Sequence, residues 1–476
     1  MMPFNKEKLD AYRKIVSAEV VTRGQHPYSY IIYSGSYTGG PYFAKDSNGE
    51  IEFSGTNASY VIQSAIDALT DGGKIFIKAG LYSQTSDIII NNKNSVSIIA
   101  EKGVELRVGA DLTSQIKVTG TCSNILIYGL ELNGSKNSYA MSEANIYFDG
   151  TVTDSTISNC YIHDYDKVAI QLDDGCNRNK ILNNRIINGN ASYAGGAAIK
   201  VFRCKDLTIQ DNNLQTGYDG IHVDSEYDQI ARHKIIHNYI YNFSDSGIDL
   251  PDSRFCRVID NTVEGNDVTD EGFDCDGGSD NIISFNTFRG CTARGVGTYN
   301  AHNMTISNNI IQGNKVNIDI TNSDYIIIEG NQILEASDNQ IWLDSSTNVK
   351  IIGNIIKDGS AFAIDGGYGS GSTAEAKFNT ITGNSWGFGG GTINLTCFGN
   401  IGFVTENSGT ATIASGATSV TVDHGLAGTP TVVVLGATHS EVADAVWSAD
   451  ATNITITVPS AVTADRDISW YAEYKP

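Results

Sequence analysis

A polar residue held between two apolar ones recurs through the middle of this chain, and the residues at those positions could do chemistry. In order they are Gln171, Lys200, His222, Asp249, Asp274, Gly297, Asp319, Trp342 and Asp365. Two residues further on stand Asp173, Phe202, Asp224, Pro251, Asp276, Tyr299, Thr321 and Asp344. A carboxylate pair, Asp249 with Asp274 or Asp224 with Asp276, can act as acid and base or nucleophile in glycoside hydrolysis. A base such as Lys200 or His222 can remove the C5 proton of a uronate sugar, with Arg254 or Arg294 pairing its carboxylate. Tyr299 and Trp342 suit stacking against sugar rings in an enzyme or in a non-catalytic glycan binder. Asp276, Arg294 and Tyr218 are expected beside them as substrate contacts.

These positions share a face only if the chain folds back at a regular interval. It does. Apolar, two variable residues, Asn, then apolar recurs as ILNN ending at Asn184, IQDN at Asn212, IIHN at Asn238, VIDN at Asn261, ISFN at Asn286 and ISNN at Asn309. IEGN at Asn331, IIGN at Asn354, AKFN at Asn379 and CFGN at Asn400 continue it. The period wanders between roughly 21 and 28 residues, the range of solenoid repeats. Two or three short alternating strands per repeat fit one turn of a parallel β-helix. A helical solenoid would need ten-residue amphipathic segments, which are absent. An inward Asn at each bend can hydrogen-bond the next coil and stack into a ladder, a structural role.

Neighbouring strands of such a solenoid lie about 4.8 Å apart, so Asp249 and Asp274 should be neighbours. His222 and Asp224 are expected on the previous coil, with Lys200 one further out. Asp252, Arg254, Glu271 and Arg294 are expected in adjoining turns, and longer turns around Tyr193 and from Glu226 to His233 should rim the region. Like charges on adjacent strands are destabilising unless a cation, a shared proton or a nearby base compensates them.

Composition narrows the function classes. The 476 residues carry a formal net charge of −22, which argues against a nucleic-acid partner and against an anionic membrane. No apolar run approaches the ~20 residues of a membrane span. The eight cysteines show no CxxC pairing or zinc spacing, and several fall at matching points of successive repeats. Buried free thiols are the simplest reading. Met1 to Glu19 is charged and has no apolar signal-peptide core. An extracellular or virion-associated location is expected nonetheless, for a polysaccharide partner and a monomeric or homotrimeric chain.

Ala58 to Leu69 (ASYVIQSAIDAL) reads as an amphipathic helix, followed by the strand-turn pair GGKIFIKAGLY from Gly72 to Tyr82. A helix there would cover the open end of a solenoid. This segment resembles the N-terminal cap of the pectate-lyase-like right-handed β-helix superfamily, and the resemblance covers about residues 55–400. It implies the fold more strongly than the reaction, since that superfamily holds lyases, hydrolases, epimerases and viral tailspikes.

Within it, Asp245-Ser-Gly-Ile-Asp249 followed by Asp270-Glu-Gly-Phe-Asp274 is similar to the calcium-binding DDGxD element of family 9 pectate lyases. That similarity implies Ca2+ and a ligand set of Asp245, Asp249, Asp270, Glu271 and Asp274. The family's lysine base is missing, because Asp274 or Gly297 occupies its position. Lys200, Tyr218, His222, Asp224 and Arg254 resemble the inventory of mannuronan epimerases and alginate lyases, without their YGFDPH motif. The polygalacturonase signature is absent.

The expected architecture is all-β: an N-terminal extension (1–45), a right-handed parallel β-helix with a capping helix (46–404), and a C-terminal β-sandwich (405–476). The Thr/Val alternation of the last segment resembles C-terminal modules of secreted or viral fibre proteins, used for sugar binding or trimerisation. The leading expectation is a polysaccharide lyase acting by β-elimination. A hydrolase using an Asp pair follows closely, and a non-catalytic tailspike or adhesin comes third.

Overall fold

The computed structural model describes residues 27–36, 39–70, 72–225, 230–367, 371–389, 393–402 and 404–474. The chain is an all-β right-handed parallel β-helix, with one α-helix among the described residues and two small antiparallel sheets at the C-terminus. It divides into two units, residues 1–224 with 231–239, and residues 225–230 with 240–476. Each unit is a stack of coils.

A coil is three short strands joined by tight bends, and each strand points one apolar residue inward. In the coil Arg257–Ile259, Thr262–Glu264 and Glu271–Asp274, these residues are Val258, Val263 and Phe273, all buried. The next coil, Ile282–Ser284, Thr287–Arg289 and Arg294–Tyr299, stacks Ile283, Phe288 and Val296 on them in register. Aliphatic columns of this kind form the core.

The expected asparagine ladder holds the bend between the first two strands. The Asn286 carboxamide oxygen accepts from the Asn261 backbone N–H (2.8 Å) and from its side-chain Nδ2 (3.0 Å). Asn309 does the same for Asn286, and the pattern continues through Asn331, Asn354, Asn379 and Asn400. Every amide in that column is buried and paired, as a buried polar group must be. The residue before each Asn turns the corner in the left-handed region: Asp260, Phe285, Asn308, Gly330 and Gly353 have φ between 56° and 65°.

The helix Ala58–Asp67 covers the first coil as expected. The Asn57 side chain caps it by accepting from Tyr60 N–H, and Val61, Ile62, Ala65 and Ile66 form its buried face. Gln63 then uses its side-chain amide to donate to Ile89 C=O (2.9 Å) and accept from Ile89 N–H (2.7 Å). The outer strand Ile88–Asn91 is thereby paired rather than left as an open edge.

The Tyr-rich stretch ahead of the helix joins the solenoid. Tyr30–Ser34 pairs in parallel with Gly73–Ile77 and antiparallel with Tyr42–Asp46, so the expected boundary at 45/46 falls inside a strand. Beyond the last coil, Glu406–Ile413, Arg466–Glu473 and Val432–Ala437 form one antiparallel sheet. Ser419–Asp423, Asn453–Thr457 and Val446–Ala449 form the other. Ile413, Ile454, Ile456 and Ile468 fill the core of this module. Seven of the eight cysteines are buried and all are unbridged. Among the described residues, no helix is long and apolar enough to cross a membrane.

Candidate functional site

The third strand of each coil carries the outward positions singled out in the sequence. In the first unit, Gln171, Lys200 and His222 stand in one registered column, and Phe202 faces Asp224 in the next. Lys200 Nζ donates to Gly195 C=O at 3.0 Å. His222 Nδ1 lies 3.7 Å from an oxygen of the buried Asp219, one residue after the half-buried Tyr218. A lysine and an imidazole therefore sit on neighbouring strands, as expected.

The second unit holds the denser chemistry. Asp249 and Asp274 are registered neighbours. Phe273 pairs with Val296, which sets Gly297 beside Asp274, and the column runs on through Asp319, Trp342 and Asp365. Glu271 pairs with Arg294 at the start of the same strands. These two residues lie on the sheet, not in the adjoining turns. Each strand begins three residues before its outward Asp or Gly, and Gly272 and Gly295 hide that beginning in the sequence.

Arg294 ties the cluster together. Its Nη1 pairs with Glu271, and its Nε reaches Asp319 on the following coil at 2.7 Å. The reach depends on Gly297, where a Cβ would lie 3.0 Å from Arg294 Cδ and 3.1 Å from Asp274 Oδ1. Asp319 is the partner that reading the sequence missed. It was visible in the outward column, but the strand position of Arg294 was not.

Burial and charge crowding together set the protonation. Burial first, then the neighbouring Glu271 and Asp249 carboxylates, push the Asp274 carboxyl up to about 8; Arg294 offsets only part. Burial also raises Glu271 against the pull of Arg294. At neutral pH, Asp274 thus holds a proton on the solvent-facing sheet next to Asp249. One carboxyl that can donate a proton beside one that can accept is an acid–base arrangement.

Other expected residues stand apart from this cluster. Arg254 lies in the turn after the sheet, where its Nη2 pairs with Asp280 at 3.1 Å. Asp276 bridges to Tyr299 and is exposed, as is Tyr299, which registers with Thr321 and Asp344. His233, expected on a rim, is buried instead: its Nδ1 accepts from Leu207 N–H at 3.2 Å, taking the place of an Asn in a corner ladder. Residues 226–229 of that expected rim lie outside the described residues.

Two of the expected calcium ligands have side-chain partners of their own, and the Asp245 backbone is engaged as well. Asp270 accepts from Thr292 Oγ1 (2.6 Å), Glu271 pairs with Arg294, and Asp245 receives the backbone N–H groups of Asp270 and Glu271 on its C=O. Among the described residues, no three of Asp245, Asp249, Asp270, Glu271 and Asp274 bring ligand oxygens within 4.8 Å of one another. The positive charge of the cluster comes from the Arg294 guanidinium.

Comparison with known proteins places the fold. Residues 187–389 match the family model described as periplasmic copper-binding protein (NosD). No curated protein matches the sequence. The A-module of Azotobacter vinelandii mannuronan C-5 epimerase AlgE6 superposes with a TM-score of 0.55 at 15% identity, covering 73% of this chain and 96% of that one. A tailspike protein mutant of E. coli bacteriophage HK620, solved with a pentasaccharide, gives a TM-score of 0.52 at 11% identity. That match covers 91% of this chain and 92% of the tailspike.

The matched segment contains both thiols and imidazoles. Cys204, Cys275 and Cys291 are buried thiols pushed up by desolvation, and His237 and His302 pair with Asp211 and Asp324. Copper sites favour deprotonated thiolate and free imidazole ligands, and these buried thiols and carboxylate-paired imidazoles supply neither. Glu105, Glu131 and His163 do group closely, but they lie outside the matched segment, and Arg107 and Asn133 already hold Glu105. At these identities the solved structures establish the right-handed parallel β-helix as the fold.

Proposed function

We propose that this protein cleaves a polysaccharide on the solvent-facing third sheet, with Asp274 as general acid and Asp249 as its carboxylate partner. The observation that carries this reading is the registered Asp249–Asp274 pair bordered by Arg294 with Glu271 and Asp319. A protonated carboxyl can deliver its proton to a glycosidic oxygen. Asp249 then activates water or attacks the sugar carbon, and Arg294 offsets part of the negative charge of Glu271 and Asp319. The mannuronan epimerase and the pentasaccharide-bound tailspike that share the fold support this substrate class. A location outside the cell or on a virion, as monomer or homotrimer, belongs to the same reading.

A second reading has its own support. Lys200 and His222 face outward on neighbouring strands, and either could abstract a C5 proton in β-elimination. Reducing-end release without the ultraviolet absorbance of unsaturated uronates supports hydrolysis at the aspartates. Release with that absorbance moves the chemistry to Lys200 and His222. Neither signal on uronate and neutral polymers favours a glycan-binding spike or adhesin.

A further inference from the structure

The third sheet of the second unit continues past the acidic cluster, and its outward residues become aromatic. Trp342 registers with Asp319 on one side and Asp365 on the other. Two coils on, Trp386 pairs with Phe362, their rings 5.1 Å apart and tilted by 34°. Trp386 is 58% exposed, although a side chain of this size normally covers most of its apolar area. Both tryptophans of this strip lie on the same sheet as the proposed cleavage site: Trp342 stands in the Asp274 column next to Asp319, the partner of Arg294, whereas Trp386 stands three residues nearer the strand start, in the column that begins with Glu271 and Arg294.

We infer that this strip holds the sugar rings of a bound polysaccharide running along the stacking direction, with Trp342 and Trp386 as stacking platforms. Coils rise by about 4.8 Å each, close to the length of one sugar in an extended chain. Trp342 lies three coils beyond Asp274 and Trp386 five, so along the stack the platforms stand roughly 14 and 24 Å from the acid, with Trp386 displaced sideways by three residues. A ring on Trp342 is then about three sugars from the scissile bond, and one on Trp386 about five. The partly exposed Asp319 beside Trp342 suits a ligand with an apolar face and a hydroxylated edge. The enzyme should therefore cut within long chains and favour substrates that reach both platforms. This inference rests on the proposed cleavage site and specifies what extends from it.

The test uses the full chain and size-graded oligosaccharides of two to ten sugars from alginate, pectate and a neutral β-glucan. Binding is followed by tryptophan fluorescence and cleavage by reducing ends. Affinity for the preferred series should climb until about six sugars. Trp386→Ala should lose about tenfold for hexamers and longer while leaving trimers unchanged, and Trp386→Phe should restore most of it. Trp342→Ala should show its loss from about four sugars upward. Unchanged length dependence in both alanine variants, with cleavage intact, would overturn the platforms and leave the site standing. Absence of binding and cleavage in the wild-type chain for all three series would overturn both together.

Discussion

Replacing Asp274 by Asn keeps the shape of the side chain and removes its titration. In the folded chain this carboxyl is pushed up to about 8 from an ordinary 3.8. Between those values the folded state holds a proton that the unfolded state has released. Stability must therefore fall as pH rises through that window and level off above about 8. The full shift corresponds to roughly 6 kcal/mol, and solvent screening at a half-buried position reduces it to an order of 2–3 kcal/mol. Asn carries no such dependence. The stability advantage of Asp274→Asn over wild type should thus grow from pH 4 to pH 9 by about 2–3 kcal/mol, read by urea unfolding at each pH. Activity should fall by about a hundredfold or more, the usual share of a general acid. A stability difference that stays flat across this range would refute the raised carboxyl. Retained activity would refute its role as the acid.

Three further outcomes follow from the same physics. His233 is buried with its proton affinity lowered to about 4, so the unfolded chain gains a proton first and stability is lost as pH falls from 6.5 to 4. His233→Asn, which restores the ladder residue, should raise the melting temperature at pH 4.5 relative to wild type and leave it nearly unchanged at pH 8. Arg294→Ala strands Glu271 and Asp319, and should cost roughly 2–4 kcal/mol in urea unfolding together with most of the activity; Arg294→Lys cannot span both carboxylates and should recover only part. Asn309→Leu removes the acceptor for Asn286 N–H and should destabilise by about 2–4 kcal/mol, whereas Asn308→Gly, matching Gly330 and Gly353 at the same left-handed corner, should cost almost nothing by thermal melting.

The solenoid was legible because one physical demand repeats in every coil. A buried Asn must satisfy its own amide and its neighbour's, so its spacing marks the bends, and the outward columns follow by counting. That count placed Asp249 beside Asp274 and Lys200 beside His222, and the structure agrees within each unit. The cluster's electrostatics were less legible. Glu271 and Arg294 begin strands whose next residue is glycine, so the apolar alternation that marks a strand is broken where they stand. The gap at Gly297 lets Arg294 cross between coils, and a column of residue names does not show that one side chain spans two of them. The expected calcium set rested on a short motif. Two of its carboxylates, Asp270 and Glu271, instead turn to Thr292 and Arg294, which the spacing alone could not reveal. His233 looked like a rim residue because its loop is long, yet a ring nitrogen can replace an Asn oxygen in a buried ladder.

The most direct test of the central claim is a reducing-end and ultraviolet-absorbance assay on alginate, pectate and neutral glucans, run with wild type, Asp249→Ala and Asp274→Asn. The proposed chemistry predicts reducing ends without absorbance from wild type on at least one polymer, and loss of that signal in both variants while each remains folded. Full activity in either variant, or absorbance rising with every cut, would contradict it.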